Sequence, residues 1–374
     1  MNTTDSRLDV IRGSAEPKHH NARTIAALTS NPGCARRSVL DAAAIDKQAL
    51  ADHLGYPARF GLSSFAIVRG IAFEEYVKAN GCAELLRLLR DQLGLSLPEV
   101  SYDDLNSVAG HETVEARYVR SRHLLEHAAR SDQDAGTLFD HPMLRMTIGG
   151  RRVYLEPDLV AFRLRGRFHV VEIKSFPVID GRADPGKVAS AATQSAVYVL
   201  ALRELMEQLG IDPEVVSHEV FLVCPQDFSN RPTAALLDVR KQLTVIRRQL
   251  TRLADVDSIV STLPDGFSLD LQVDDGKPTR SVDELCEALG LVEARYAPEC
   301  MASCELAYFC RAGARGHTAA LGRSVQEDLG GIDTIGAALG LASGARTPDD
   351  HEREAAQVLR LAHRLRHECL GGAA

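Results

Sequence analysis

Two carboxylates and a lysine stand close together near the middle of the chain. Asp158 follows a proline, and Glu172 and Lys174 flank Ile173 at the end of a short apolar run. Side chains two residues apart in a strand project from the same face, so Glu172 and Lys174 point together while Ile173 faces the core. A hairpin that turns at Gly166 would bring Asp158 beside Glu172.

This group predicts a hydrolytic metal site. The Asp158 and Glu172 carboxylates and the Ile173 carbonyl are hard oxygen ligands of the kind that Mg²⁺ and Mn²⁺ prefer. Lys174 beside such an ion could orient a water molecule, assist its deprotonation or stabilise the charge on a phosphoryl group.

A helix after these strands carries two further polar residues. Gln194 and Tyr198 lie four positions apart, so they share one helix face and could contact a substrate backbone. Each feature is weak alone, because an acid-x-Lys at a strand end is usually a solvated edge, and Gln and Tyr on a helix are usually surface and packing residues. The order of a strand Asp, a strand Glu-x-Lys and a helical Gln-x-x-x-Tyr favours the functional interpretation.

Three cysteines form a second cluster, in the stretch PECMASCELAYFC. Cys300, Cys304 and Cys310 lie within eleven residues. Thiolates select soft or borderline metals, which here means zinc or an iron–sulfur cluster, and either needs a fourth ligand. The other cysteines, apart from Cys34, lie in helical or strand patterns and are expected to be buried small hydrophobes; they are Cys82, Cys224, Cys286 and Cys369.

The strand and helix motifs resemble those of the PD-(D/E)XK nuclease superfamily, in its RecB-like exonuclease branch. That branch also has a helical residue, usually His in a G-x-x-x-H context, that completes the metal site. The matching context here runs from Gly70 to Glu74, so the resemblance implies Glu74 as a further metal ligand. Glu75 is the neighbouring alternative, and an exposed helix acid is the competing interpretation for both.

The resemblance extends to the cysteines. Iron–sulfur members of this branch, including CRISPR-adaptation exonucleases and AddB-type subunits, use one cysteine before the nuclease core and three after it. It therefore implies that Cys34 joins Cys300, Cys304 and Cys310 around a structural 4Fe-4S cluster. Zn²⁺ is the alternative metal.

The pattern of elements predicts an α/β fold. Short strands from Leu144 to Lys174 are followed by a helix at 187–208, a strand at 219–224 and a helix at 234–254. This order indicates a mixed central sheet flanked by helices. The resemblance implies a restriction-endonuclease-like core whose N- and C-terminal segments are joined by the iron–sulfur cluster.

We expect three regions along the chain. They are a flexible N-terminal tail at 1–25, the nuclease domain with its cluster at 26–315, and a helical C-terminal extension at 316–374 that could bind a protein partner. No apolar stretch approaches the ~20 residues that span a bilayer, and no secretory signal is evident, so we expect a cytoplasmic protein without a membrane partner.

Overall charge does not decide the substrate. The net charge is −8, which neither indicates nor excludes a nucleic-acid partner. Local basic residues, among them Arg36 and Arg37 after Cys34, could neutralise phosphates, although a solvated face is the commoner role.

The resemblance implies a metal-dependent DNA nuclease, with exonuclease action on single-stranded ends and a role in DNA repair or defence against foreign DNA. The alternatives are a non-catalytic nucleic-acid-binding scaffold subunit and an unrelated zinc-stabilised protein.

Overall fold

The chain forms two compact units, each assembled from separated segments. In a computed structural model, the described residues are 3–18, 21–28, 31, 33–58, 64–93, 100–105, 113–131, 136–148, 151–164, 166–227, 229–250 and 256–371. The sheet unit comprises residues 18–32 and 61–255, and the helical unit comprises residues 1–17, 33–60 and 256–374. The helical unit therefore draws on segments before and after the sheet unit.

The helices are α1 (Thr3–Arg12), α2 (Ala22–Leu28), α3 (Ala35–Ala42), α4 (Lys47–His53), α5 (Ser64–Leu93, with non-helical backbone at Ala79–Cys82), α6 (Val114–Arg130), α7 (Pro185–Gln208), α8 (Arg240–Leu250), α9 (Val256–Thr262), α10 (Val282–Gly290), α11 (Ala307–Gly313), α12 (Arg323–Asp328), α13 (Ile335–Ser343) and α14 (Arg353–Gly371). Short 3₁₀ turns lie at Pro213–Val215, Pro298–Ala302, Thr318–Leu321 and Asp350–Glu352.

The strands are β1 (Val100–Asp104), β2 (Gly136–Asp140), β3 (Leu144–Ile148), β4 (Arg151–Leu155), β5 (Leu159–Leu164), β6 (Arg167–Ile173), β7 (Glu219–Pro225), β8 (Pro232–Asp238), β9 (Val273–Asp274) and β10 (Lys277–Pro278). Six of them form one sheet in the order β1-β2-β5-β6-β7-β8. The pairs β1–β2 and β6–β7 are parallel and the other neighbours are antiparallel, so the sheet is mixed.

Strand β6 shows how the sheet is buried on both faces. Phe168 and Val170 belong to the core cluster that contains α7 residues, whereas Val171 and Ile173 belong to the cluster that contains α5 residues. Successive strand residues point to opposite faces, so this alternation needs apolar residues at nearly every position. The prediction of a mixed central sheet flanked by helices is confirmed.

Some strands were not predicted. The segment 234–254 was predicted as one helix, but its first part belongs to β8, which pairs with β7 over seven positions before α8 begins at Arg240. Leu236 is 42% exposed on this strand at the end of the sheet order. The apolar spacing of 234–239 fits a helix as well as a strand, and only pairing with β7 decides between them. Strands β1 and β2, of five residues each, were also not predicted.

The N-terminal segment differs from the expected flexible tail. Helix α1 buries Leu8 and Ile11, which are 1% and 0% exposed, in a cluster with Val260 and Leu263 of the same unit. The partners come from residues 250 positions later in the chain, so local composition does not reveal them. The C-terminal extension is helical, as predicted, and Leu341 and Ala356 are buried in its own small cluster.

No helix in the described ranges combines the length and the apolar character that crossing a membrane requires.

Helix α1 provides a test of the helical unit. Ile11→Ala should lower the free energy of unfolding by about 2–5 kcal/mol, because it removes buried methylene groups and leaves a cavity. Val10→Ala is the matched control, since Val10 is 56% exposed and its change should stay within about 0.5 kcal/mol. Denaturant unfolding measures both, and equal small effects at the two positions would show that α1 contributes no packing.

Candidate functional site

The β5–β6 hairpin brings the two predicted carboxylates together. Leu159 pairs with Val171, so Asp158 lies opposite Glu172, one residue before β5. Asp158 Oδ2 accepts a hydrogen bond of 2.8 Å from the backbone N–H of Ile173. The hairpin turns at Gly166, whose φ of +77° is a backbone conformation that glycine adopts without steric cost.

Burial sets the protonation of these carboxylates. Glu172 is 0% exposed, and burial together with the nearby Asp158 charge raises its pKa to about 8. Burial also raises the pKa of Asp158, while Lys174 opposes the shift. Two adjacent carboxylates in an apolar setting resist double ionisation unless a cation is near.

Lys174 supplies one such cation. Its Nζ forms an ion pair with Glu172 Oε1, and its side chain is 26% exposed. Glu172 Oε2, however, has no hydrogen-bond partner among the described residues. A buried carboxylate with unfilled acceptor positions is costly, so this environment suits a further positive charge.

Helix α7 places the predicted Tyr198 near the carboxylates. Tyr198 is buried, and burial with the charges of Glu172 and Asp158 raises the pKa of its hydroxyl well above the usual value. Gln194 Nε2 donates to the Tyr198 hydroxyl at 3.5 Å. The hydroxyl therefore remains a donor at neutral pH.

Helix α5 brings Glu74 to the same cluster, and Glu75 is exposed. The Glu74 charge raises the pKa values of Asp158 and Glu172, which shows that the three carboxylates share one electrostatic field. Glu74 Oε1 accepts a hydrogen bond of 2.5 Å from Lys78 and lies 3.3 Å from His141 Nε2. These contacts lower the pKa of Glu74 to about 2, against the effect of burial.

Three residues around the carboxylate cluster were not identified from the sequence: Lys78, Asp140 and His141. Asp140 ends β2 and lies 2.6 Å from Lys78 Nζ and 2.8 Å from His141 Nδ1, and it accepts from the Tyr102 hydroxyl. His141 has a φ of +49°, an uncommon conformation for a residue other than glycine. The sequence feature that could have indicated this group is the Asp140–His141 pair, which lies shortly before β3.

The four predicted thiols lie together in the helical unit. Cys34 is the N-cap of α3, while Cys300 lies in a 3₁₀ turn, Cys304 follows it and Cys310 lies in α11. The Cys310 thiol interacts electrostatically with each of the other three. Burial raises the pKa of Cys304 to about 12, although Arg37 opposes the shift.

Cations surround these thiols. Arg36 Nη1 donates to Cys310 Sγ at 3.5 Å, and its other nitrogens donate to the Leu289 and Val292 carbonyls. Lys47 also lies near enough to Cys304 to oppose its raised pKa. Nearby positive charge stabilises thiolates, which are the form that binds metal. Arg36 and Arg37, considered above as phosphate contacts, therefore lie beside the thiols, and Arg37 also pairs with Asp41.

The remaining cysteines differ among themselves. Cys82 and Cys224 are 0% and 1% exposed, as expected for buried small hydrophobes. Cys286 is half-buried and Cys369 is exposed on α14, so the expectation of burial is wrong for Cys369.

No protein-family model and no curated protein matches this chain. Two crystal structures overlap with it weakly. One is the "Putative exonuclease" from Eubacterium rectale, at 11% identity and a TM-score of 0.31, covering 64% of this chain and 82% of that chain. The other is SSO0001, at 11% identity and a TM-score of 0.25, covering 69% and 94%. At such TM-scores the overlaps say nothing about the function of this chain.

The surroundings of His141 give a pH-dependent prediction. Hydrogen bonds to Asp140 and Glu74 raise the pKa of His141 to about 9. Because the folded pKa is raised, the stabilisation is fully present below the unfolded pKa of about 6.5 and is lost as the pH rises towards 9. NMR titration of the metal-free protein should show this pKa, and Asp140→Asn should lower it. A wild-type value near 6.5 would contradict the hydrogen-bond network.

Proposed function

We propose that this chain is a metal-dependent nuclease that hydrolyses phosphodiester bonds in DNA. The observation that carries the proposal is the meeting of Asp158, Glu172 and Lys174 across the β5–β6 hairpin, with Glu172 fully buried and its Oε2 without a hydrogen-bond partner among the described residues. Asp158, Glu172 and the Ile173 carbonyl would hold Mg²⁺ or Mn²⁺, with Glu74 as an additional ligand.

Each residue has a defined part in the reaction. A bound divalent ion would polarise the phosphoryl group and lower the pKa of its water. Lys174, ion-paired with Glu172, orients the attacking water and stabilises the charge that develops on the phosphoryl oxygens. Water oxygen attacks phosphorus and releases a proton to solvent, the bond between phosphorus and the leaving oxygen breaks, and the leaving oxygen takes up a proton from solvent.

Gln194 and Tyr198 position the substrate strand. The Tyr198 hydroxyl stays protonated because burial and, after it, the neighbouring carboxylates raise its pKa well above the usual value. It therefore donates to a phosphate oxygen, while Gln194, which hydrogen-bonds the hydroxyl, fixes its direction. We assign single-stranded ends as the substrate on the resemblance of the motifs to RecB-like exonucleases.

The activity is tested with a labelled linear single strand and Mn²⁺. Lys174→Ala should reduce kcat by about 10²–10³-fold, because an electrostatic stabiliser of the transition state is lost. Glu172→Gln should abolish cleavage through loss of a metal ligand. Lys277→Ala, on the exposed β9–β10 hairpin, is the control that should cleave at the wild-type rate.

A circular single strand distinguishes the mode of action, since only an endonuclease opens it. Wild-type rates in both Lys174→Ala and Glu172→Gln would overturn the assigned site. Tight DNA binding by the wild type without cleavage in Mg²⁺ or Mn²⁺ would overturn the enzymatic proposal and favour a scaffold.

We also propose that the four thiols hold a structural 4Fe-4S cluster. The nearness of the four thiols supports it, since the Cys310 thiol interacts electrostatically with those of Cys34, Cys300 and Cys304. Four thiolates suit either a zinc ion or an iron–sulfur cluster. The resemblance of the cysteine arrangement to iron–sulfur members of the RecB-like branch selects the cluster.

Replacement of Cys34 tests the cluster. Cys34→Ser should lose the brown colour and the absorbance at about 400 nm after anaerobic purification, together with bound iron, because one of four ligands is removed. It should also unfold at lower denaturant, since metal ligation contributes to folding. Cys369→Ser is the matched control because Cys369 is exposed. Wild-type protein with zinc and no iron would contradict the cluster.

A further inference from the structure

The ammonium group of Lys78 lies inside a shell of acceptors. Its Nζ is 2.5 Å from Glu74 Oε1, 2.6 Å from Asp140 Oδ1 and 3.1 Å from the main-chain oxygen of Asp158. His141 lies beside these acceptors, with its ring nitrogens 3.3 and 3.4 Å from Nζ, and the same nitrogens face the Glu74 and Asp140 carboxylates. The Lys78 side chain is 9% exposed, so these protein groups replace most of its hydration.

This acceptor set is that of a divalent-metal site. Two carboxylates and a backbone carbonyl are ligands that Mn²⁺ accepts, and the neighbouring imidazole becomes a ligand once it loses its proton. Asp140 and His141 also belong, with Asp104, to a group whose ligand atoms all lie within 4.8 Å of one another. A surface lysine normally makes one exposed ion pair, whereas Lys78 contacts two carboxylates and a carbonyl at once.

The Lys78 shell adjoins the proposed catalytic pocket through Asp158. The Asp158 carboxylate accepts from the Ile173 N–H, and its carbonyl accepts from Lys78. Glu74 likewise contacts Lys78 and acts electrostatically on both Asp158 and Glu172. In two-metal hydrolases the ions lie about 3.5–4 Å apart, so adjoining ligand shells are the arrangement that such sites use.

We infer that Lys78 is a built-in cation that takes the place of a second metal ion, so that the Asp158–Glu172 pocket binds one divalent ion. Lys78 is then a positioning residue: it holds Glu74 and the Asp158 backbone in place and supplies positive charge without a second ion. The part that Lys78 plays in catalysis rests on the proposed function, but the expected number of bound metal ions does not.

The inference is tested by counting Mn²⁺ ions. Wild type, Lys78→Met, Lys78→Gln and Lys78→Arg are titrated with Mn²⁺, and free Mn²⁺ is followed by EPR. Lys78→Met and Lys78→Gln should each bind one ion per chain more than wild type, because a neutral side chain leaves the acceptors to a metal. Lys78→Arg keeps the cation and should show no gain. Lys277→Met removes an exposed lysine and is the matched control.

A spectroscopic signature identifies where the extra ion binds. Pulsed EPR of Lys78→Gln should show nitrogen coupling from His141, and adding His141→Leu should remove both the coupling and the extra ion. Lys78→Gln retains hydrogen-bond donors, so it keeps the test decisive if Lys78→Met does not fold. The wild type should also show a non-cooperative dependence of cleavage on Mn²⁺ concentration.

Two results would overturn the inference. One is an unchanged ion count in Lys78→Gln, and the other is a wild type that binds two ions, both of which are lost in Asp158→Asn. A different result would contradict the proposed function alone. If the Lys78 variants gain an ion but the wild type cleaves no DNA, the inference about Lys78 holds and the nuclease proposal is wrong.

Discussion

The sheet unit is organised around the burial of two carboxylates on neighbouring strands. The register of β5 and β6 sets Asp158 opposite Glu172, and the core around them removes the water that would otherwise screen their charges. Burial and the neighbouring Asp158 charge raise the pKa of Glu172 to about 8, although Lys174 opposes the shift. Positive charge is therefore a structural requirement here.

The helices on the two faces of the sheet contribute different groups near these carboxylates. Helix α5 contributes Lys78, whose contacts join Glu74 and the Asp158 backbone. Helix α7 contributes Tyr198, a neutral donor that adds no charge. Lys174 continues β6, and its backbone N–H donates to the Val223 carbonyl, which fixes the start of its side chain beside the sheet. A sheet buried on both faces gives these groups rigid supports.

Much of this arrangement was predictable because the decisive contacts are local. A strand, a Gly turn and a strand specify which residues are opposite, so Asp158 and Glu172 could be paired from their spacing around Gly166. The contact between Lys78 and Asp140 was not predictable, since it forms through the packing of α5 near β2, which sequence periodicity does not encode. The same limit explains why β8 was predicted as a helix. Its apolar residues fit both helical and strand spacing, and only the pairing with β7 makes it a strand.

The helical unit is subject to a different constraint, because a long stretch of chain separates the segments that form it. Cys34 precedes Cys300 by 266 residues, and the segment between them contains most of the sheet unit. Packing of α1 and α3 against later helices already closes this loop. In the chain-entropy description, a cross-link over such a loop would stabilise the folded state by on the order of 5 kcal/mol. That figure is similar to the whole net stability of many domains, about 5–15 kcal/mol. Metal ligation by these thiols would therefore stabilise the folded state of the helical unit and would require no electron transfer. Arg36, Arg37 and Lys47 would assist it by placing positive charge near the sulfurs.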